Sequence, residues 1–261
     1  MDHSLQKQGR STMSTSLQGQ TALITGSTSG IGRAVALHLA GQGARVIISG
    51  RDEERGGAVA RDISMMGATV DFIPADLSDL ASVRELADGA LNISGGKIDI
   101  LVNNAAAAPT GPTVDMTEAQ FDLVYSTNVK APFFLVARLA PLMAERGGGS
   151  IVNITTIAAQ HALAGMSIYG SSKAALVLLT KSWALEFGGS GVRVNAVNPG
   201  PILTPATVPM GEGLKALSDG TAASRVGTVD EIADAVAFLV SDSASYIYGT
   251  VLSVDGGRSA I

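Results

Sequence analysis

The sequence predicts an α/β fold: a single domain built on a doubly wound parallel sheet of about seven strands flanked by helices. Three observations point there. Short apolar segments alternate with longer segments of helical period from residue 21 almost to the end. The short segments are continuous β-branched runs rather than apolar–polar alternations, as expected of strands covered on both faces. No Pro/Ser-rich linker and no internal repeat divides the chain, so the alternation belongs to one right-handed βαβ progression.

In order, strands are expected at residues 21–24, 45–48, 70–73, 98–102, 151–154, 193–197 and 251–254. Helices are expected at 31–41, 53–66, 80–92, 118–146, 168–187 and 230–241, with a kink or break in the fourth because Pro132 and Pro141 lie inside it. Residues 1–17 are polar, rich in Ser and Gln, and lack the apolar centre of a signal peptide; they read as a disordered leader before a domain spanning 18–261. Residues 205–223, rich in Gly, Ala, Ser, Thr and Pro, read as a mobile lid.

Composition narrows the function. Of 261 residues, 18 are basic and 23 acidic, a net charge of −5 with no basic run, which argues against nucleic acid as a partner. No cysteine is present, so disulfides, thiol catalysis and thiolate metal sites are excluded, and no metal site is expected. No apolar run reaches the ~20 residues that span a bilayer, so the expectation is a cytoplasmic protein with no membrane partner.

The first strand runs into Thr25-Gly26-Ser27-Thr28-Ser29-Gly30-Ile31-Gly32 and then a helix. Glycines in such a turn let backbone approach a pyrophosphate, and the helix start offers free N–H groups and its positive dipole end. The second strand ends in Ser49-Gly50-Arg51. An acid there would bind the ribose 2′-hydroxyl of NAD(H); none is present, and the guanidinium of Arg51 suits the 2′-phosphate of NADP(H). Arg51 pairing with Glu53 or Glu54 as a solvated helix start is the plainer reading. NADP(H) is therefore preferred as cofactor, with NAD(H) the alternative. Asp76-Leu77 follows the third strand, where Asp76 is either an adenine contact or the N-cap of the next helix.

Tyr169-Gly170-Ser171-Ser172-Lys173 opens a helix, and a separation of four puts the phenol and the ammonium on one face. A free phenol, with a pKa near ~10, is a poor base at neutral pH; a neighbouring ammonium, together with the positive charge of an oxidised nicotinamide, favours the phenolate, and the same group can donate to a developing alkoxide.

The loop spacing G-x-x-x-G-x-G, Asn103-Asn104-Ala105-Ala106 at the fourth strand, Tyr169-x-x-x-Lys173, Pro199-Gly200-Pro201-Ile202-Leu203-Thr204 after the sixth strand and the closing Val254-Asp255-Gly256-Gly257 appear in the order of one family. Together they resemble the short-chain dehydrogenase/reductases over about residues 18 to 258. The resemblance implies a single Rossmann-like domain, a small carbonyl or alcohol substrate, and a homotetramer. It implies that Gly26, Thr28, Ser29, Gly30, Ile31, Gly32, Arg51, Asp76, Leu77, Asn103, Ala105, Tyr169, Lys173, Pro199, Gly200, Ile202 and Thr204 hold the dinucleotide. It implies catalysis by Tyr169 and Lys173, with Thr156 thirteen residues before the tyrosine as the group holding the substrate oxygen. Asn128 supports a water beside the lysine in a proton relay. Two positions depart from the family pattern: Ala106 replaces a glycine, and Thr156 replaces a serine, adding a methyl and a stiffer χ1. His161, between Thr156 and Tyr169, reads as a loop residue skirting the pocket. Reduction of a ketone, by analogy a 3-oxoacyl thioester, is the implied reaction. Oxidation of a sugar or steroid alcohol by the same residues, and a regulatory protein that senses NADP(H) without turnover, are the alternatives.

Overall fold

The computed structural model describes residues 17–260. The elements are β1 (Thr21–Thr25), α1 (Gly30–Gly41), β2 (Arg45–Gly50), α2 (Glu53–Met65), β3 (Val70–Pro74), α3 (Leu80–Ile93), β4 (Ile100–Asn103), α4 (Glu118–Tyr125), α5 (Ala131–Glu145), β5 (Gly149–Ile154), α6 (Ser167–Phe187), β6 (Val192–Pro199), α7 (Glu212–Asp219), α8 (Val229–Val240) and β7 (Val251–Val254). One seven-stranded sheet has the order β3-β2-β1-β4-β5-β6-β7, and every pair is parallel. From β1 the chain builds outward through β2 and β3, then returns to lay β4 on the other side of β1. The β1/β4 boundary is therefore the switch point where a crevice opens at the carboxyl ends of the strands.

Alternate strand residues feed two cores. Ile24, Ile48, Val102 and Val152 pack under α1, α2 and α8. Leu23, Ile47, Leu101 and Ile151 pack under α3, α5 and α6. Each fully buried aliphatic side chain contributes about 1.5–3 kcal/mol, so this double burial makes the strands the rigid support of whatever their ends carry.

Four of the eight α-helices start on a side-chain cap. Asp52 accepts from the Arg55 amide at α2, Asp79 from Ala81 and Ser82 at α3, and Thr117 and Thr228 form capping boxes with Gln120 and Glu231 at α4 and α8. The N-cap role considered for Asp76 thus belongs to Asp79. At its far end α8 is closed by the buried Arg193 of β6, which donates to the carbonyls of Leu239, Val240, Ser241 and Ala244. Its cation stands at the negative end of the helix dipole.

Two expectations need correction, and a third, the break in the helix over 118–146, is met in a particular form. Leu17, assigned to the leader, is buried and donates to the Gln42 carbonyl at 2.9 Å, so it is part of the packed domain; residues 1–16 lie outside the described residues. The fourth strand starts at Ile100 rather than residue 98, where Arg146 takes the Ile98 carbonyl; Asp99 still bonds through its backbone to Thr21 and Ser150, and its carboxylate also accepts from the Thr21 amide. The helix expected over 118–146 is divided by a π-turn at Ser126–Lys130, just ahead of Pro132. Proline brings no N–H for the Asn128 carbonyl four residues earlier, and the wider turn accommodates that loss. Pro141 is tolerated inside α5, where it is exposed.

Among the described residues no helix is long and apolar enough to cross a membrane.

Candidate active site

A cleft of about 1100 Å³ opens over the carboxyl ends of the strands, and it runs from the exits of β2 and β3 past β1 and β4 to α7. Its floor is the β1–α1 turn. Gly26 has φ +64°, and a Cβ there would stand 2.7 Å from the Ala105 Cα, so the turn can lie against the end of β4 only with glycine. Asn104 locks the two together: its Nδ2 donates to the carbonyls of Thr25 (2.9 Å) and Gly26 (3.0 Å), while the Thr25 hydroxyl accepts from its amide at 3.0 Å.

Unlike the capped helices, α1 has no side-chain cap at Ser29 and no acid in its first turn. Its N-terminal N–H groups and dipole face the cleft uncompensated, which suits an anion. At the exit of β2 the Ser49 hydroxyl lines the cleft, fully buried and without a hydrogen-bond partner. A Cβ at Gly50 would lie 2.7 Å from the Thr28 Cγ2, so the neighbouring side chain already fills the place where an acid would start. Arg51 is exposed at the rim. Asp76 accepts from the Ser78 amide and hydroxyl (3.0 and 2.8 Å); these bonds, with a smaller effect of the Arg51 charge, hold its carboxyl below the usual value. An orphaned hydroxyl, an arginine and an uncapped helix start form a donor set that fits a phosphorylated dinucleotide.

At the other end, α6 carries Tyr169 and Lys173 on one face. Lys173 is 1% exposed and donates to the Ile154 carbonyl at 2.8 Å. Burial pushes its pKa down from 10.5 to about 8. In the chain alone, burial raises the Tyr169 pKa, and the Thr156 side chain beside it only partly offsets this. The phenol of the free protein is therefore held as the acid. Thr156, extended at φ −167°, turns its hydroxyl to the cleft and also accepts from the Ala158 amide at 3.4 Å. Its neighbour Thr155 is drawn into the sheet by the Val197 carbonyl at 3.0 Å.

The cleft gathers the residues singled out from the loop, the strand ends, Thr156 and the Tyr–Lys pair, but two lie outside its lining. Asn103 is buried and turned sideways; its Nδ2 donates to Asn153 Oδ1 (2.9 Å), Asn153 donates on to Thr180 (2.8 Å), and Asn103 Oδ1 has no partner. Its side chain ties β4 to β5 and does not reach the cleft. Asn128 spends its amide on the Ala107 backbone (2.8 and 2.9 Å) and on Ser172 Oγ (3.0 Å). Ser172 in turn donates to the Tyr169 carbonyl at 2.7 Å, so Asn128 pins α6 and the β4 exit rather than touching the lysine. His161 is exposed and lines the cleft, as the plainer reading had it.

Residues 205–223 are more structured than a lid of small side chains suggests. They hold a 3-10 turn at Val208–Met210 and α7, whose Leu214 is buried. Thr207, which sequence reading passed over, closes the loop: its hydroxyl donates to the Ile202 carbonyl at 2.7 Å and accepts from the Thr204 amide at 2.8 Å. Asn104 and Arg258 are among the other cleft residues it missed; Asn104 sits inside a quoted motif, whereas Arg258 carries no sequence signal beyond its charge.

Comparison with known proteins agrees with this geometry. A sequence model described as enoyl-(acyl carrier protein) reductase matches residues 26–259. The 3-oxoacyl-(acyl-carrier-protein) reductase of Thermotoga maritima is 35% identical over 246 residues, covering 92% of this chain and 98% of its own length. The 7alpha-hydroxysteroid dehydrogenase of Escherichia coli is 37% identical over 243 residues, covering 92% and 94%. A solved structure of a short chain dehydrogenase/reductase family protein is 48% identical, with a TM-score of 0.87, covering 94% of this chain and 99% of that one. The likeness in sequence and in fold extends over nearly the full length, and the chain belongs to the short-chain dehydrogenase/reductase family of oxidoreductases.

Proposed function

We propose that the chain is an NADPH-dependent reductase that converts a ketone to a secondary alcohol. One observation carries the reading: a Tyr169 phenol held as the acid by burial, with Thr156 beside it in the cleft and Lys173 one helical turn away. Two hydroxyls side by side suit one carbonyl oxygen. NADPH, when bound, supplies the hydride that adds to the carbonyl carbon. Thr156 holds the oxygen, and Tyr169 gives it a proton as negative charge develops there, so the product is the neutral alcohol. Lys173, locked on the Ile154 carbonyl, supplies positive charge near the phenolate left behind. Its lowered pKa of about 8 lets it return a proton to the phenol near neutral pH. Asn128 serves this relay by position, through Ser172.

Preference for NADPH over NADH rests on Ser49, Gly50 and Arg51: an unused hydroxyl, no acid and a guanidinium around one spot. Gly26 through Gly32, Asp76, Leu77, Ala105, Pro199, Gly200, Ile202 and Thr204 complete the proposed cofactor contacts. A homotetramer is part of the proposal. Leu178 and Leu185 of α6 are 66% and 88% exposed, and with Phe121 and Phe133 they leave apolar surface for another subunit to cover. We place the reaction in the cytoplasm, where NADPH is regenerated.

The test is NADPH and NADH oxidation against a panel of 3-oxoacyl thioesters, simple ketones, sugars and oxo-steroids, with the alcohols run in reverse. Turnover of a ketone with NADPH at least tenfold more efficient than NADH is expected. Tight NADPH binding without turnover of any carbonyl would show a nucleotide sensor instead.

A further inference from the structure

The charges lining the cleft are divided between its ends. Both lining carboxylates stand near β2 and β3, and both are engaged: Asp52 with Arg55 at 2.7 Å, Asp76 with Ser78. Away from that end, beyond Tyr169 and Lys173, the lining includes the apolar Leu163, Met166 and Leu217, the polar His161 and Thr110, and one permanent cation, Arg258.

Arg258 follows β7, at the sheet edge opposite β3. Its place is fixed by the turn that carries it. The Gly200 amide donates to the Val254 carbonyl at 3.1 Å, joining the exits of β6 and β7. Asp255 then accepts from the amides of Gly257 and Ser259, both at 2.9 Å, so its carboxylate is spent on holding the turn. Among the described residues no carboxylate lies within ion-pair distance of the Arg258 guanidinium. Its one recorded side-chain hydrogen bond goes to the Gly220 carbonyl, long at 3.5 Å, just past α7, which roofs the same cleft. A guanidinium fork so placed is a ready acceptor of a carboxylate, which it can bind with two parallel N–H donors.

We propose that Arg258 is a specificity residue, and that the substrate is an oxo-acid anion whose carboxylate meets Arg258 while its ketone lies at Tyr169 and Thr156. The intervening aliphatic chain runs over Leu163, Met166 and Leu217. The inference rests on the ketone-reductase reading, so it is tested both with and without turnover.

With turnover, NADPH oxidation is followed for straight-chain oxo-acids of increasing ketone-to-carboxylate separation and for their methyl esters. At one separation the acid is expected to exceed the ester in kcat/KM by about tenfold or more, through KM. In Arg258→Gln, which keeps a donor for the Gly220 carbonyl, that ratio falls to within about twofold of one; Arg258→Lys retains part of it. Equal efficiency of acid and ester at every separation overturns the proposal. So does an Arg258→Gln variant that loses both substrates by the same factor, since that is the mark of a structural tie to α7.

Without turnover, the NADPH complex is titrated with saturated aliphatic carboxylates and their primary amides, read by nicotinamide fluorescence. The carboxylate is expected to bind about tenfold tighter, and the difference to vanish in Arg258→Gln. A carboxylate preference with no ketone turned over upholds Arg258 and refutes the reductase reading. Turnover with no carboxylate preference does the reverse.

Discussion

Replacing Lys173 with methionine should make the protein more stable at neutral pH while disabling it. The lysine is buried with a single hydrogen bond, to the Ile154 carbonyl, and burial lowers its pKa from 10.5 to about 8. Each unit of difference is about 1.4 kcal/mol, so carrying the charge inside costs the native state on the order of 3 kcal/mol as an upper figure. The lost hydrogen bond returns about 1 kcal/mol of that, which leaves about 2 kcal/mol in favour of Lys173→Met, or about 4–8 °C in Tm for a chain of this size. The sign follows from proton binding. Below about pH 8 the lysine is charged in both states and the native state bears the full penalty. Between about 8 and 10.5 the unfolded chain keeps a proton that the native protein has released, so wild-type stability rises with pH through that window. Methionine carries no proton, and the gap between variant and wild type should close across the same range. Urea unfolding of both proteins at pH 7 and pH 10, with NADPH oxidation measured alongside, tests this. A variant less stable than wild type at pH 7, or a gap that does not change with pH, would refute the reasoning.

Three further outcomes follow from the geometry. Gly50→Asp places a Cβ 2.7 Å from the Thr28 methyl, an overpacking cost of about 1–3 kcal/mol; the variant should bind both NADPH and NADH more weakly by fluorescence titration, and Thr28→Ser added to it should recover NADH binding but not NADPH. Arg193→Met strips four carbonyls around the α8 C-terminus of their donor and should cost about 3–5 kcal/mol in urea unfolding, with NADPH affinity of the folded fraction retained. Thr156→Val keeps the shape and removes the hydroxyl, so kcat/KM should fall about 10²–10³-fold, whereas Thr156→Ser should keep the rate and admit bulkier ketones, as competing-substrate assays would show.

Much of this was legible before any coordinates. All seven strands lie on the apolar runs that were expected to form them, with the fourth shifted to Ile100–Asn103, because the five inner strands are buried on both faces and demand such residues. The Tyr169–Lys173 pair was readable because four residues on a helix is a fixed distance. What was not readable depends on partners far apart in sequence. That burial raises the Tyr169 pKa in the chain alone was not readable, since the depth of the phenol is set by packing and not by the lysine one turn away. Asn103 and Asn128 looked like site residues by motif, yet their amides are claimed by Asn153, Ala107 and Ser172, contacts set only by the packing of β4, β5, the π-turn and α6. The interruption before α5 was anticipated from Pro132, but its form as a π-turn was not, since the proline specifies only the missing donor. In 205–223 small residues concealed α7, which is held by Leu214 against the domain rather than by helix propensity.

The central claim, that Tyr169 is the proton donor of a reductase, is tested most directly by Tyr169→Phe in single-turnover NADPH oxidation with the best ketone from the panel. The phenylalanine fills the same space and removes only the hydroxyl. The account predicts NADPH binding within about twofold of wild type and a rate lower by about 10²–10⁴-fold. Hydride transfer within tenfold of wild type would contradict it.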